Sequence, residues 1–273
     1  MDHFTKTTIK LPNAHIYCEY ILNGKPPLLL IHGLVASVYT FKKMMPLLEK
    51  DFSVIAIDLP GFGRSEKSAR FINSYENFAK LIASCIDYFD LKEVYLAGHS
   101  MGGQISLYTA KLFPEKIKKL ILLNSSGYLK PSNHWIKLLS YVPYFYLFIK
   151  KSVKKQGVRS TLEIALSDHS VITEEMIEEY SRPLKEKQFY KSLLRLARYR
   201  EGDLRSAQVK QITTPVLLIY GEKDRIISLK VAKKLAKDLP NAKLLIHPNT
   251  GHLFTDEIPE NLTEQIRSFA LES

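Results

Sequence analysis

A serine hydroxyl is a poor nucleophile at neutral pH, so it needs a histidine to take its proton and a carboxylate to hold that histidine's tautomer. The chain offers all three residue types at positions a fold can gather. Ser100 lies in Ala97-Gly98-His99-Ser100-Met101-Gly102-Gly103, after the apolar run Val94-Tyr95-Leu96 and before a helical pattern from Gln104 to Phe113. A buried strand ending at Gly98 and a helix starting just past Ser100 put this serine on the corner between them. On so sharp a turn its dihedrals are strained, and the residues two before and two after must lack bulk for strand and helix to approach. Gly98 and Gly102 meet that need, so the corner reads as a nucleophile elbow. The helix beyond it aims free N–H groups at the turn, where negative charge would develop. Because G-x-S-x-G also recurs by chance in strand-to-helix turns, its partners decide the reading.

Those partners must lie at the carboxyl ends of neighbouring strands, the edge where sites form in doubly wound sheets. Asp224 follows the run Val216 to Tyr220 through Gly221-Glu222-Lys223, and His252 follows the last strand through Asn249-Thr250-Gly251. The order Ser, Asp, His is that of a known triad arrangement. Competing candidates are weaker. His247 abuts its strand and reads equally well as a structural histidine; His99 should point away from Ser100; Glu222 replaces Asp224 only if the loop is longer than its sequence suggests. After the strand ending at Leu123, Asn124-Ser125-Ser126 offers no carboxylate. Acyl transfer also needs donors to an oxyanion. The Met101 N–H supplies one, and in His32-Gly33-Leu34 the Leu34 N–H is the best second choice. His32 itself reads as a scaffold for that loop.

The elements around these residues form a regular series. Thr7 to Leu22, broken at Pro12-Asn13, predicts an edge hairpin. Short apolar runs follow at 28–31, 54–57, 94–97, 120–123, 216–220 and 244–246, apolar on both faces as a helix-covered parallel sheet requires. Helical patterns lie at 38–50, 75–90, 103–113, 228–239 and 259–271, with Ser228 as an N-cap. The expected fold is α/β, a doubly wound and mostly parallel sheet. Between Tyr128 and Ala207 the alternation stops and only helical patterns remain, so 128–207 is an inserted helical segment in a core made of 1–127 and 208–273.

Composition bounds the function. With 273 residues, 45% of them hydrophobic, the chain can bury a full core. The net charge of +11 invites a nucleic-acid reading, but the cations are mostly interleaved with acids and no nucleic-acid motif is present, so no nucleic-acid partner is expected. The insertion holds 15 Lys and Arg against nine Asp and Glu, over half of the net charge. Cys18 and Cys85 form no disulfide framework or metal-ligand pattern, and Met1-Asp2-His3-Phe4 does not begin a secretory signal, so a cytoplasmic protein is expected. The longest charge-free apolar run, Leu138 to Ile149, has 12 residues where a bilayer span needs about 20. With Trp135 before it and Lys150, Lys151, Lys154 and Lys155 after it, this stretch has two readings: a pocket wall packed on the core, or a weak peripheral membrane contact. Gly61-Phe62-Gly63 hints at a dinucleotide loop, but Pro60 interrupts it and a third glycine is missing; no cofactor or metal is expected.

Taken together, His32-Gly33, Asp58-Leu59-Pro60-Gly61-Phe62-Gly63-Arg64-Ser65, Gly98-His99-Ser100-Met101-Gly102-Gly103, Gly221-Glu222-Lys223-Asp224 and Gly251-His252 resemble the α/β-hydrolase fold superfamily. The resemblance spans nearly the whole chain and is to the serine-nucleophile, cap-bearing hydrolases that include esterases, lipases and carbon-carbon bond hydrolases. It implies that 128–207 is the cap over a pocket, and that Ser100, Asp224 and His252 cleave a small or medium, largely apolar carboxylic ester through an acyl-enzyme. A carbon-carbon bond hydrolase or thioesterase on the same triad is the alternative. Haloalkane dehalogenases and epoxide hydrolases of this superfamily carry an aspartate at the elbow, where this chain has Ser100. The carbon-carbon bond hydrolases typically follow the histidine with tryptophan, whereas here Leu253-Phe254 follows.

Overall fold

A computed structural model describes residues 3–272. Eight strands form one sheet in the order β1-β2-β4-β3-β5-β6-β7-β8: β1 (Thr5–Leu11), β2 (Ala14–Ile21), β3 (Pro27–Ile31), β4 (Ser53–Ile57), β5 (Val94–His99), β6 (Ile117–Leu123), β7 (Val216–Gly221) and β8 (Ala242–His247). The expected hairpin is β1 and β2, closed at Pro12-Asn13 with Leu11 opposite Ala14. Strand β2 also runs antiparallel to β4, and every pair from β4 across to β8 is parallel. The doubly wound, mostly parallel α/β sheet is therefore present.

The apolar runs lack alternation because both faces of the sheet are buried, and period-two geometry sends neighbours to opposite cores. Leu29 and Ile31 of β3, with Leu96 and Leu120, join the helices Tyr75–Tyr88 and Met101–Leu112 on one face. Leu28 and Leu30, with Ala97 and Ile121, meet Leu262 and Ile266 of the helix Pro259–Leu271 on the other. Burying each such side chain contributes about 1.5–3 kcal/mol. Helix starts follow their side chains: Ser74 accepts from the Asn77 N–H, and Ser228, as expected, accepts from the Lys230 N–H.

One boundary differs from expectation. Residues 38–50 are not one helix but a 3-10 turn, Val38–Phe41, and a single α-turn, Met45–Leu48. Pro46 can open a helical turn but lacks the N–H to continue one. The helix after Ser100 starts at Met101, directly past the serine as expected, with Gly102 and Gly103 in its first turn.

Between β6 and β7 the described chain is helical, with His134–Leu139, Phe145–Gln156, Val158–Ala165, Glu174–Ser181, Lys187–Tyr199 and the short Ser206–Val209 as its α-helices. Phe189 and Tyr190 anchor this insertion in the main core, and Leu162, Leu166 and Met176 pack against Leu253 beside His252. Not all of its apolar surface is buried. The reading of 135–149 as pocket wall fails for most of the stretch, because Trp135, Tyr141, Tyr144 and Phe148 face solvent. Among the described residues no helix is long and apolar enough to cross a membrane.

Candidate active site

Five adjacent strands, β3, β5, β6, β7 and β8, end at one edge of the sheet, and their carboxyl ends lead into Leu34, Ser100, Asn124, Asp224 and His252 respectively. The crossover between β5 and its neighbours makes this edge the natural crevice of the fold.

Ser100 has φ 53° and ψ −119°, outside the regions an L-residue prefers, so the turn holds backbone strain. It persists because the turn is pinned: the Ser100 N–H donates to Leu123 O (2.9 Å), and Ser100 O accepts from the N–H groups of Gly103 and Ser126 (both 3.0 Å). The flanking glycines are needed as the sequence implies. A Cβ on Gly98 would stand 2.4 Å from Gly102 O, and one on Gly102 would stand 2.2 Å from Ile31 O.

His252 Nδ1 lies 2.7 Å from Asp224 Oδ2 and its Nε2 lies 3.0 Å from Ser100 Oγ. An ionised carboxylate only accepts, so Nδ1 carries the proton and the Nε2 lone pair faces the Ser100 hydroxyl, which donates to it. Asp224 is fixed in turn: its Oδ1 accepts from the N–H groups of Ile226 (2.7 Å) and Ile227 (2.8 Å), and its side chain is fully buried. Glu222 is turned elsewhere, with Oε2 3.4 Å from the Asn249 N–H. His247 bonds Gln265.

The loop after β3 passes directly against Ser100, since a Cβ on Gly33 would be 3.0 Å from Ser100 Cβ. Leu34 and Met101 both border the same cavity as Ser100 and His252. The Met101 N–H belongs to the first helical residue, which helix geometry leaves without an intrahelical acceptor. His32 braces the loop: Nδ1 donates to Gly33 O (2.7 Å) and Nε2 accepts the Leu59 N–H (2.9 Å). Burial pushes this imidazole down to about 4, so it is neutral and its 4.0 Å approach to Asp58 is not an ion pair. Asp58 holds the same loop from the other side, accepting the N–H groups of Val38 and Arg64 (both 2.6 Å).

His99 packs its ring 4.8 Å from that of His252 and donates from Nε2 to His252 O (2.9 Å). Burial first, and then the adjacent His252 ring, push it down to about 3, so it stays neutral. Two positioning residues carried no sequence motif. Asn124 donates from Nδ2 to Gly251 O and His252 O (both 2.9 Å), and its Oδ1 accepts the Gly221 N–H (2.8 Å). It thereby ties the Asp224 loop to the His252 loop. Glu257 accepts the Gly251 N–H and those of Ser167 and Asp168 in the insertion. The His252 N–H itself donates to Ala165 O at 2.6 Å, so the insertion and the histidine loop share backbone hydrogen bonds.

Above Ser100 lies a cavity of about 650 Å³ between the sheet edge and the insertion. Its walls include Leu129, Val153, Leu162, Leu184, Leu193 and Leu253. Polar groups are few, among them Ser126, Ser132 and Arg200. Arg200 is held near the Tyr75 hydroxyl (3.5 Å) and donates to Lys130 O (3.0 Å).

Known proteins are similar to this chain in sequence and in fold. A family model described as alpha/beta hydrolase fold matches residues 26–257. The chain is 44% identical over 257 residues to the uncharacterized hydrolase YugF of Bacillus subtilis (strain 168), covering 94% of each chain. It is 25% identical over 260 residues to a 2-hydroxy-6-oxononadienedioate/2-hydroxy-6-oxononatrienedioate hydrolase of Paraburkholderia phymatum, covering 90% of this chain and 87% of that one. Among solved structures, the meta-cleavage product hydrolase CumD of Pseudomonas fluorescens IP01 superposes with a TM-score of 0.78 at 19% identity, over 97% of each chain.

Proposed function

Since the chain belongs to the α/β-hydrolase fold family, we propose that it is a serine hydrolase that cleaves carboxylic esters with a largely apolar acyl group. The observation that carries this reading is the line from Ser100 Oγ through His252 to Asp224 at the floor of an apolar cavity. In this mechanism Ser100 Oγ attacks the ester carbonyl carbon while His252 Nε2 takes the hydroxyl proton. The Leu34 and Met101 N–H groups bind the resulting oxyanion, and preorganised donors of this kind are worth about 3–4 kcal/mol each. Collapse expels the alcohol, which leaves with the proton from His252, and forms the acyl-enzyme. Water, deprotonated by His252, then releases the carboxylic acid and restores Ser100. Asp224 keeps the Nδ1 proton in place throughout. Residues 128–207 act as the cap of the core formed by 1–127 and 208–273, closing the apolar wall over the acyl group. The two cysteines, Cys18 and Cys85, are buried free thiols, which fits the reducing cytoplasm we assign to it.

A second reading, a carbon-carbon bond hydrolase, is favoured by the name of the Paraburkholderia relative and by Arg200, a cation able to bind a substrate carboxylate inside the cavity. Leu253, lining the cavity where those enzymes typically carry tryptophan, weighs against it. The deciding experiment assays p-nitrophenyl esters of graded acyl length beside a diketone ring-fission substrate, with fluorophosphonate labelling and Ser100→Ala as control. Ester turnover and labelling that both vanish in the variant, with kcat down by about 10⁶, support the proposal. Turnover of the diketone alone favours the second reading, and labelling that survives Ser100→Ala refutes both.

A further inference from the structure

The helices His134–Leu139 and Phe145–Gln156, with the turn between them, form an apolar face open to solvent. Trp135, Tyr144 and Phe148 are 71%, 70% and 67% exposed. Leu138, Tyr141 and Leu147 in the same segment are exposed as well. Single exposed apolar residues need no explanation, whereas six large ones within 14 residues of chain mark an interaction surface. Helix 145–156 is divided by face. Tyr146, Ile149 and Val153 pack on the core, and Tyr144, Phe148, Lys151 and Lys155 share the outer side at helical spacing.

The charge on this segment is one-sided. From Lys116 to Leu162 the chain contains no Asp or Glu, and from Lys130 to Arg159 it carries seven Lys and Arg. Arg159 is engaged by Glu174, and Lys150 lies over the Tyr190 ring. Lys151, Lys154 and Lys155 are exposed and form no ion pair among the described residues. A second copy of the chain would bring these like charges face to face, which opposes self-association through this surface.

We propose that this face docks on an anionic phospholipid bilayer. Tryptophan and tyrosine suit the headgroup level, with an apolar body and a polar tip, while Leu147 and Phe148 reach the acyl boundary and the lysines meet lipid phosphate. The docking segment also borders the cavity at both ends, through Leu129 and Ser132 before it, Val153 within its last turns, and Gly157 and Val158 after it. A chain-bearing ester drawn from the bilayer therefore has a short apolar path to Ser100. That last step rests on the hydrolytic reading proposed above; the docking does not.

Trp135 is the only tryptophan, so its fluorescence reports on this face alone. The full-length protein is mixed with vesicles of phosphatidylcholine, with or without phosphatidylglycerol, at low and high salt. The expected result is sedimentation with the anionic vesicles and a blue shift of Trp135 emission, both reduced about tenfold or more by high salt. Lys151→Gln, Lys154→Gln and Lys155→Gln combined should weaken partitioning about a hundredfold. Phe148→Ser should weaken it too, and both variants should hydrolyse a short soluble ester at the parental rate. The proposal is overturned if emission is unmoved and the protein stays in the supernatant. Equal binding to neutral vesicles overturns it, as does a concentration-dependent blue shift with doubled mass and no lipid. Loss of ester hydrolysis with docking intact counts against the proposed chemistry and leaves the docking standing.

Discussion

Glu257 Oε2 accepts the Gly251 N–H at 2.6 Å, so the residue before His252 is held by a carboxylate whose other oxygen holds Ser167 and Asp168 of the insertion. One side chain thus sets the distance between the insertion and the histidine loop. A charge-assisted hydrogen bond contributes about 1.5–3 kcal/mol, and an amide in its place turns an N–H toward an N–H. Glu257→Gln is expected to lower kcat on a short soluble ester by about tenfold to a hundredfold with KM less affected, and to slow fluorophosphonate labelling in parallel. A variant with full kcat and labelling rate would reduce Glu257 to a tether with no influence on His252.

Asp224 and Glu222 are two residues apart, but only Asp224 reaches the imidazole. Asp224→Asn should preserve the fold and lose on the order of 10⁴ in kcat, because the amide favours the wrong tautomer of His252. Glu222→Gln should change kcat by less than about tenfold, since its one long hydrogen bond, from the Asn249 N–H, can be accepted by the amide oxygen and does not touch His252. Equal losses in the two variants would mean that the acid has been misassigned.

The Leu34 side chain is largely exposed and its proposed role belongs to the backbone, so no change of side chain alone tests it. Proline removes the N–H. Leu34→Pro should cost at least about 10² in kcat while fluorophosphonate still reaches Ser100. Because proline also restricts Gly33, thermal unfolding is measured beside the rate; a folded variant with near-normal turnover would move the second oxyanion donor elsewhere.

Asn124 marks the limit of what the sequence carries. Ser100, Asp224 and His252 were legible because their chemistry restricts residue type and each follows an apolar run that must be a strand. Asn124 stands at the end of such a run too, but it acts through backbone carbonyls of Gly251 and His252, and no spacing reveals those partners. Glu257 is hidden for the same reason. Of the two readings of the aromatic stretch, composition alone does not choose, because apolar composition indicates burial only on average; which face meets the core depends on how the insertion folds back. Asn124→Ala removes the side-chain partner of the Gly221 N–H and of the Gly251 carbonyl, at about 1–3 kcal/mol each, while the His252 carbonyl keeps His99. It should lower Tm and slow turnover together, whereas a variant with wild-type Tm and kcat would show that the tie between the two loops is dispensable.

Asp256 supplies the pH dependence expected of stability. It is buried, with Oδ2 lacking a hydrogen-bond partner among the described residues and Oδ1 3.9 Å from Lys43 Nζ. Lys42, Glu257 and Tyr180 also bear on it electrostatically. Burial is the largest influence and pushes its carboxyl from 3.8 up to about 7, against the pull of Lys43. The folded chain then keeps a proton that the unfolded chain has released between about pH 4 and pH 7. Stability from this group is full below pH 4 and is lost as pH rises through 7, by an amount on the order of a few kcal/mol. Asn at this position is neutral at every pH and removes the slope. The Tm of Asp256→Asn minus that of the parent protein should therefore increase from about pH 5 to about pH 8. Parallel Tm curves over that range would show that Asp256 is ionised in the fold and that Lys43 outweighs its burial.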